Sequence, residues 1–240
     1  MQQFANPARF LRLANAVLPA VWIITAVLLA IGLWLGLAAA PADYQQGETV
    51  RIMFVHVPAA WLALMVYTIM ATASIMAIVF RHPLADVAAK TAAPLGAAFC
   101  FLALATGSLW GKPMWGAWWV WDARLTSMFV LVLLYLGYMA IWQAIEDPHR
   151  AAPIARIVAI VGFINIPVIK FSVDWWNSLH QPASVLKLGG PSIHPSILWP
   201  LLVMAVAYMA LFLALHLTAI RGEIAARRLR QLQVAEAGRR

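Results

Sequence analysis

Cysteine is almost missing from this chain: Cys100 is the single one in 240 residues. Within one chain that excludes a disulfide, a thiolate zinc site, CxxC redox chemistry and covalent haem attachment through CxxCH. Charge is scarce too. Asp, Glu, Lys and Arg make up 11% of the residues, against about 25% in ordinary globular chains. That is too little to cover a water-facing surface, which excludes a soluble domain. Neither HExxH nor GxxxxGK[ST] occurs. The first absence argues against a zinc site, and the second means that any ATP dependence must come from a partner. Repeats and low-complexity tracts are also lacking.

What the chain has instead is apolar length. It is 64% apolar with a mean hydropathy of +0.82, so its solvent is a lipid bilayer. A crossing needs about 20 mostly apolar helical residues, and six stretches free of Asp, Glu, Lys and Arg stand out: 13–42, 52–80, 91–111, 125–145, 157–169 and 188–220. The fifth has only 13 residues, but Arg156 and Lys170 can snorkel and extend it to about 20. The spacing therefore predicts an all-α integral membrane protein, one domain over 1–240, with spans near 17–39, 57–80, 91–110, 126–145, 154–173 and 196–220. The stretch 16–40 is too long for a signal h-region, so a retained first helix is expected.

Charge placement orients the spans. The 17 Lys and Arg against 9 Asp and Glu give +8. With six spans and both termini inside, 12 of the 17 cations fall on the inner side, and Arg51, Lys112, Arg124, Lys170 and Lys187 remain outside. Removing the fifth span would put six arginines of the C-terminal tail, among them Arg239 and Arg240, outside, against the positive-inside rule. The basic run follows the last span as a juxtamembrane tail and carries no interleaved aromatics, so no nucleic-acid partner is indicated.

Two outer segments hold the unusual residues, 110–126 and 174–195. Five of the 12 tryptophans lie in 110–126. Trp115, Trp118 and Trp119 recur at i, i+3, i+4, which predicts a short amphipathic helix with one broad aromatic face, Pro113 breaking the helix before it. Such a face serves equally as a platform for a flat apolar ligand or as an interfacial belt. Trp121 and Asp122 follow, Asp122 fitting a structural role near a helix start. Arg124 is either an interfacial cation or a partner for a ligand carboxylate. Six histidines occur. Topology sends His56, His180 and His194 outward and His82, His149 and His216 inward, with Pro58 expected in the first turn of the second span. Neutral imidazoles from two elements can clamp a haem iron from both faces.

The run 115–126 (WGAWWVWDARLT) resembles the tryptophan-rich WWD signature of a haem-handling protein family. Length, six spans, FVHVPAAW around His56 and WWNSLHQPAS around His180 together resemble the CcmC family of cytochrome c maturation proteins over essentially the whole chain. The resemblance implies that His56 and His180 are axial ligands of haem iron. It also implies that Trp115, Trp118, Trp119, Trp121 and Asp122 belong to the surface holding the macrocycle, at the periplasmic face of a bacterial inner membrane. It further implies non-covalent haem b as cargo, presented for covalent loading onto the haem chaperone CcmE, with CcmD and the ABC transporter subunits CcmA and CcmB as further partners, the ATPase activity lying with them. The role of His194 stays open. Two other readings use the same residues: a haem-translocating pore, which needs polar groups at mid-depth, and a b-type electron-transfer cytochrome, which needs facing histidines inside the membrane.

Overall fold

The computed structural model describes residues 6–176, 178–181, 184–185 and 187–238. Asn177, Pro182 and Ala183 beside His180, and Arg239 and Arg240 of the tail, lie outside the described residues. Seven α-helices follow one another: α1 Pro7–Leu33, α2 Met53–Val79, α3 Ala85–Trp115, α4 Ala123–Ala144, α5 Pro148–Gly162, α6 Asn165–Trp175 and α7 Pro195–Ala237. A π-helical stretch, Trp34–Ala39, extends α1, and a 3-10 turn, Glu48–Ile52, leads into α2. Counting each helix with the turns continuous with it, six are long and apolar enough to cross a membrane. Helices satisfy their own backbone, which is why a chain this apolar takes this form.

Helix α2 is the axis of the bundle. It packs along α3 and also touches α5, α6 and α7, while α1 lies outside against α7. Phe54, Ala59, Ala63, Val66, Tyr67 and Met70 of α2 are buried. Two tyrosines lock its neighbours to it. Tyr135 of α4 donates to the Ala63 carbonyl at 2.7 Å, and Tyr67 donates to the Val158 carbonyl of α5 at 3.2 Å. In a medium as apolar as the side chains themselves, such bonds and close packing hold helices together in place of the hydrophobic effect.

Four expectations change. The fifth crossing is two helices, α5 and α6, joined by a tight turn in which the Phe163 and Ile164 amides reach back three residues, to Ile160 and Val161. Pro167 explains the break, since its ring clashes with the carbonyl of Phe163 and it has no N–H to offer. Arg156 lies inside α5, which already begins at Pro148, and makes a bidentate pair with Asp86 of α3 at 2.8 and 2.6 Å. Pro58 is not in a first turn, because α2 starts at Met53. The short amphipathic helix expected to carry Trp115, Trp118 and Trp119 on one face does not form. Helix α3 runs through Pro113, whose missing N–H removes one bond only, to Trp115. It ends because Gly116 adopts φ 75°, and 117–122 is non-helical.

Candidate functional site

Helices α2, α3, α4 and α6 and the segment leading into α7 surround a cavity of ≈ 370 Å³, lined among others by His56, His180, Trp110, Trp115, Arg124 and Lys170. His56 comes from the first turns of α2. Its Nδ1 lies 3.1 Å from the Thr106 hydroxyl of α3, and that hydroxyl's one proton goes to the Leu102 carbonyl at 2.6 Å. Thr106 therefore accepts from His56 Nδ1–H, which leaves the lone pair on Nε2. Space for the imidazole is provided by Gly107, where a Cβ would sit 2.9 Å from His56 Cε1. Trp110 meets the same ring edge-on at 5.7 Å and is itself held by its indole N–H donating to Gln46 at 3.0 Å.

His180 is held differently. Its Nδ1 lies 2.7 Å from Asp122 Oδ2, the oxygen to which Ser178 also donates at 2.6 Å, and its backbone N–H donates to Ser178 Oγ at 3.1 Å. The other oxygen of Asp122 accepts the Leu125 N–H at 2.8 Å and so caps α4. Trp115 stands edge-on to the imidazole at 4.8 Å. Burial by itself would raise the Asp122 pKa. Hydrogen bonds from Ser178 and Leu125 and the neighbouring His180 outweigh it and hold the carboxyl below its usual value. Burial lowers the His180 pKa by more than Asp122 raises it, with Arg124 adding to the lowering. At neutral pH the contact is thus a carboxylate accepting from a neutral imidazole, again with Nε2 as the lone-pair nitrogen.

Arg124 lines the cavity and is steadied by its Nε donating to Ser172 at 3.3 Å. The remaining predicted residues fall elsewhere. Trp118, Trp119 and Trp121 do not line the cavity; Trp119 and Trp121 pack edge-to-face at 5.4 Å and against Phe129, while Trp118 and Trp121 are 56% and 73% exposed. The left-handed Gly116 turns the chain after Trp115, so the tryptophans that a helix would have placed on one face end up on two sides. His194 caps α7, accepting from the Ser196 N–H. His216 bonds the Ala88 carbonyl through Nε2 at 2.9 Å, at the other end of the bundle. Thr25, Thr68 and Ser74 each bond a carbonyl of their own helix, and Asn165 bonds that of Ser127.

Sequence reasoning did not pick out Thr106, Gly107 or Gln46, and it read Lys170 only as an anchor. Thr106 and Gly107 sit in an unbroken apolar run with nothing around them that marks a binding role. The donor set suits a metalloporphyrin: two imidazoles whose Nε2 atoms make no hydrogen bond among the described residues, aromatic edges, aliphatic walls and two cations for carboxylates.

Comparison with known proteins points the same way. A family model described as heme exporter protein C matches residues 1–235. The heme exporter protein C of Bradyrhizobium diazoefficiens is 61% identical over 98% of this chain and 89% of its own length. That of Escherichia coli K12 is 42% identical over 93% of this chain and 90% of its own. A putative cytochrome c biosynthesis ccmC-like mitochondrial protein of Marchantia polymorpha is 45% identical over 83% of both. With a family-model match over nearly the whole chain and relatives up to 61% identical, the chain belongs to the heme exporter protein C (CcmC) family.

Proposed function

We propose that this protein binds haem b non-covalently between His56 and His180 at the periplasmic face of the bacterial inner membrane and presents it for covalent loading onto CcmE during c-type cytochrome biogenesis. The observation that carries the reading is the matched state of the two histidines. Each has its Nδ1–H engaged, by Thr106 or by Asp122, and both line one cavity. Imidazoles so arranged offer Nε2 to iron without a change of tautomer. Arg124 and Lys170 are the partners for the propionates, and Trp110 and Trp115 hold the imidazole edges. Trp118 and Trp121, exposed and outside the cavity lining, form the surface offered to the chaperone. Haem is cargo here; no CxxCH tethers it, so it can be handed on.

In this reading both termini are cytoplasmic, 110–126 and 174–195 are periplasmic, and the chain works with CcmD and with the ABC subunits CcmA and CcmB, which supply the ATPase. The pore reading has less support, because Thr25, Thr68 and Ser74 satisfy their hydroxyls within their own helices, Asn165 bonds the Ser127 carbonyl, and Thr72 is exposed on the outside of its helix. An electron-transfer cytochrome has less still, because the Nε2 of His216 is engaged by a carbonyl.

The test is the absorption spectrum and pyridine haemochrome of the detergent-purified protein, made with its partners present, for wild type, His56→Ala and His180→Ala. A b-type haem in wild type, lost or spectrally changed in both variants, supports the site. A haem-free wild type, or unchanged spectra in both variants, refutes it.

A further inference from the structure

The fifth crossing follows α2 over only half of its length. Its first helix, α5, packs on α2, and there Tyr67 of α2 bonds the Val158 carbonyl. Beyond the turn at 163–164 the second helix, α6, barely touches α2 and stays with α4 instead. Two hydrogen bonds tie it there: Asn165 donates to the Ser127 carbonyl at 2.9 Å, and Arg124 donates to Ser172 at 3.3 Å. Helix α7 packs on α1, α2 and α3, and its contact with α6 is marginal at most. A gap is therefore left between α6 and α7 in the half of the bundle that carries the histidines, with α2 as its back wall.

The cavity reaches into this gap. From His56 its wall continues along α2 through Ala60 and Trp61 to Leu64, about 12 Å further at 1.5 Å per residue. Ile169 of α6 and Leu201 of α7 line it on either side. Trp61 and Leu64 are only half-buried although they stand on the central helix. Lys170 is exposed and also lines the cavity, so it stands at an edge of the opening. At the end of the bundle the segment joining α6 to α7 spans the gap, and its Val185 and Ile193 line the cavity and pack on the core.

We propose that haem enters this cavity sideways, out of the surrounding lipid, through the gap between α6 and α7. The inference rests on the haem reading of the site. Haem is a flat, largely apolar disc with its two carboxylates at one edge, and a slot between two helices admits such a disc edge-on. Apolar walls take the place of lipid around the ring, and Lys170 at the opening pairs with the carboxylates while the ring passes. Entry past the segment at the end of the bundle would instead pull Val185 and Ile193 off the core and expose them to water.

The experiment follows haem uptake by the haem-free full chain in phospholipid vesicles, with haem dissolved in the same membrane or supplied in buffer on serum albumin. Uptake is expected to rise with haem per lipid, and to slow in proportion when the same haem and protein are spread over more lipid. A passage alters the rates of uptake and loss together and leaves their ratio unchanged, whereas a binding contact alters the ratio. Leu64→Trp, which narrows the gap, is expected to slow both rates several-fold at an unchanged haem spectrum and equilibrium occupancy. Trp61→Ala, which widens it, is expected to speed both, and reads the same passage should Leu64→Trp not fold. Uptake that tracks haem in the buffer and ignores lipid dilution, rates unchanged in the variants, or an effect on loss alone overturns the proposal while the two-histidine spectrum leaves the site standing. A wild type without a haem spectrum at equilibrium overturns site and route together, so the two failures are told apart before any rate is measured.

Discussion

His56 and His180 reach the same cavity from opposite kinds of scaffold. His56 sits in a helix packed along α3, and its Nδ1–H goes to a neutral hydroxyl whose own proton is fixed by a carbonyl. His180 sits in the irregular segment after α6 and is tied down by a single carboxylate and a serine. A carboxylate makes imidazole a stronger electron donor than a hydroxyl does. In the proposed haem site the stronger ligand is therefore in an irregular segment, and the weaker one in a packed helix. On the proposed function this divides the tasks: His56 would keep the iron in register, and His180 would be the ligand that can be withdrawn.

The largest effect should come from removing each side in turn. His56→Ala is expected to empty the cavity, whereas His180→Ala should retain a reduced amount of haem with an altered, singly histidine-ligated spectrum. Equal retention by the two variants would erase the asymmetry. Next comes Asp122→Asn, expected to weaken haem binding by about 10- to 100-fold; Thr106→Val, which removes a neutral acceptor from His56, should cost less in the same haem titration. The pH profile sharpens this pair. The His180 pKa is held below 6.5, so the imidazole is neutral at pH 7, and protons compete with iron only as pH falls below that value. Asp122 raises that pKa, so its removal should move the inflection in haem affinity against pH to lower pH even though binding at pH 7 is weaker. A shift to higher pH would contradict the assigned hydrogen bond.

Gly107→Ala follows. Its methyl would stand 2.9 Å from His56 Cε1, on the rigid side, where α2 and α3 leave little room to give. The expected result is a several-fold loss of haem with a changed spectrum, and normal membrane insertion. The smallest effect should be that of Trp118→Ala, since Trp118 is outside the cavity: haem content near that of wild type, with transfer to CcmE slowed. Haem loss as large as that of Trp115→Ala would return Trp118 to the binding surface.

Much of this was legible from sequence, unevenly. Charge-free runs and cation placement mark all six crossings, because bilayer thickness and the cost of burying charge act on composition directly. The pairing of His56 and His180 on one side follows from the same counting. Asp122 was visible as a residue near a helix start, but not as the one that orients His180, 58 residues away. The tryptophan face was misjudged because i, i+3, i+4 spacing presumes a helix, and Gly116 ends it at Trp115. Pro167 gave a local sign of the broken fifth crossing. Thr106 against His56, Trp110 against Gln46 and Arg156 against Asp86 are 50, 64 and 70 residues apart, and no periodicity encodes such contacts.

Asp122 uses its two oxygens for two unrelated jobs, Oδ1 starting α4 and Oδ2 aiming His180. In genetic terms the position is pleiotropic: one substitution changes both how the fourth helix begins and how His180 is oriented. A loss-of-function allele at 122 therefore says nothing about ligand orientation until protein abundance in the membrane has been measured beside it. A second-site suppressor that supplied a new cap to α4 would rescue abundance alone, and in doing so would separate the two phenotypes that one carboxylate joins.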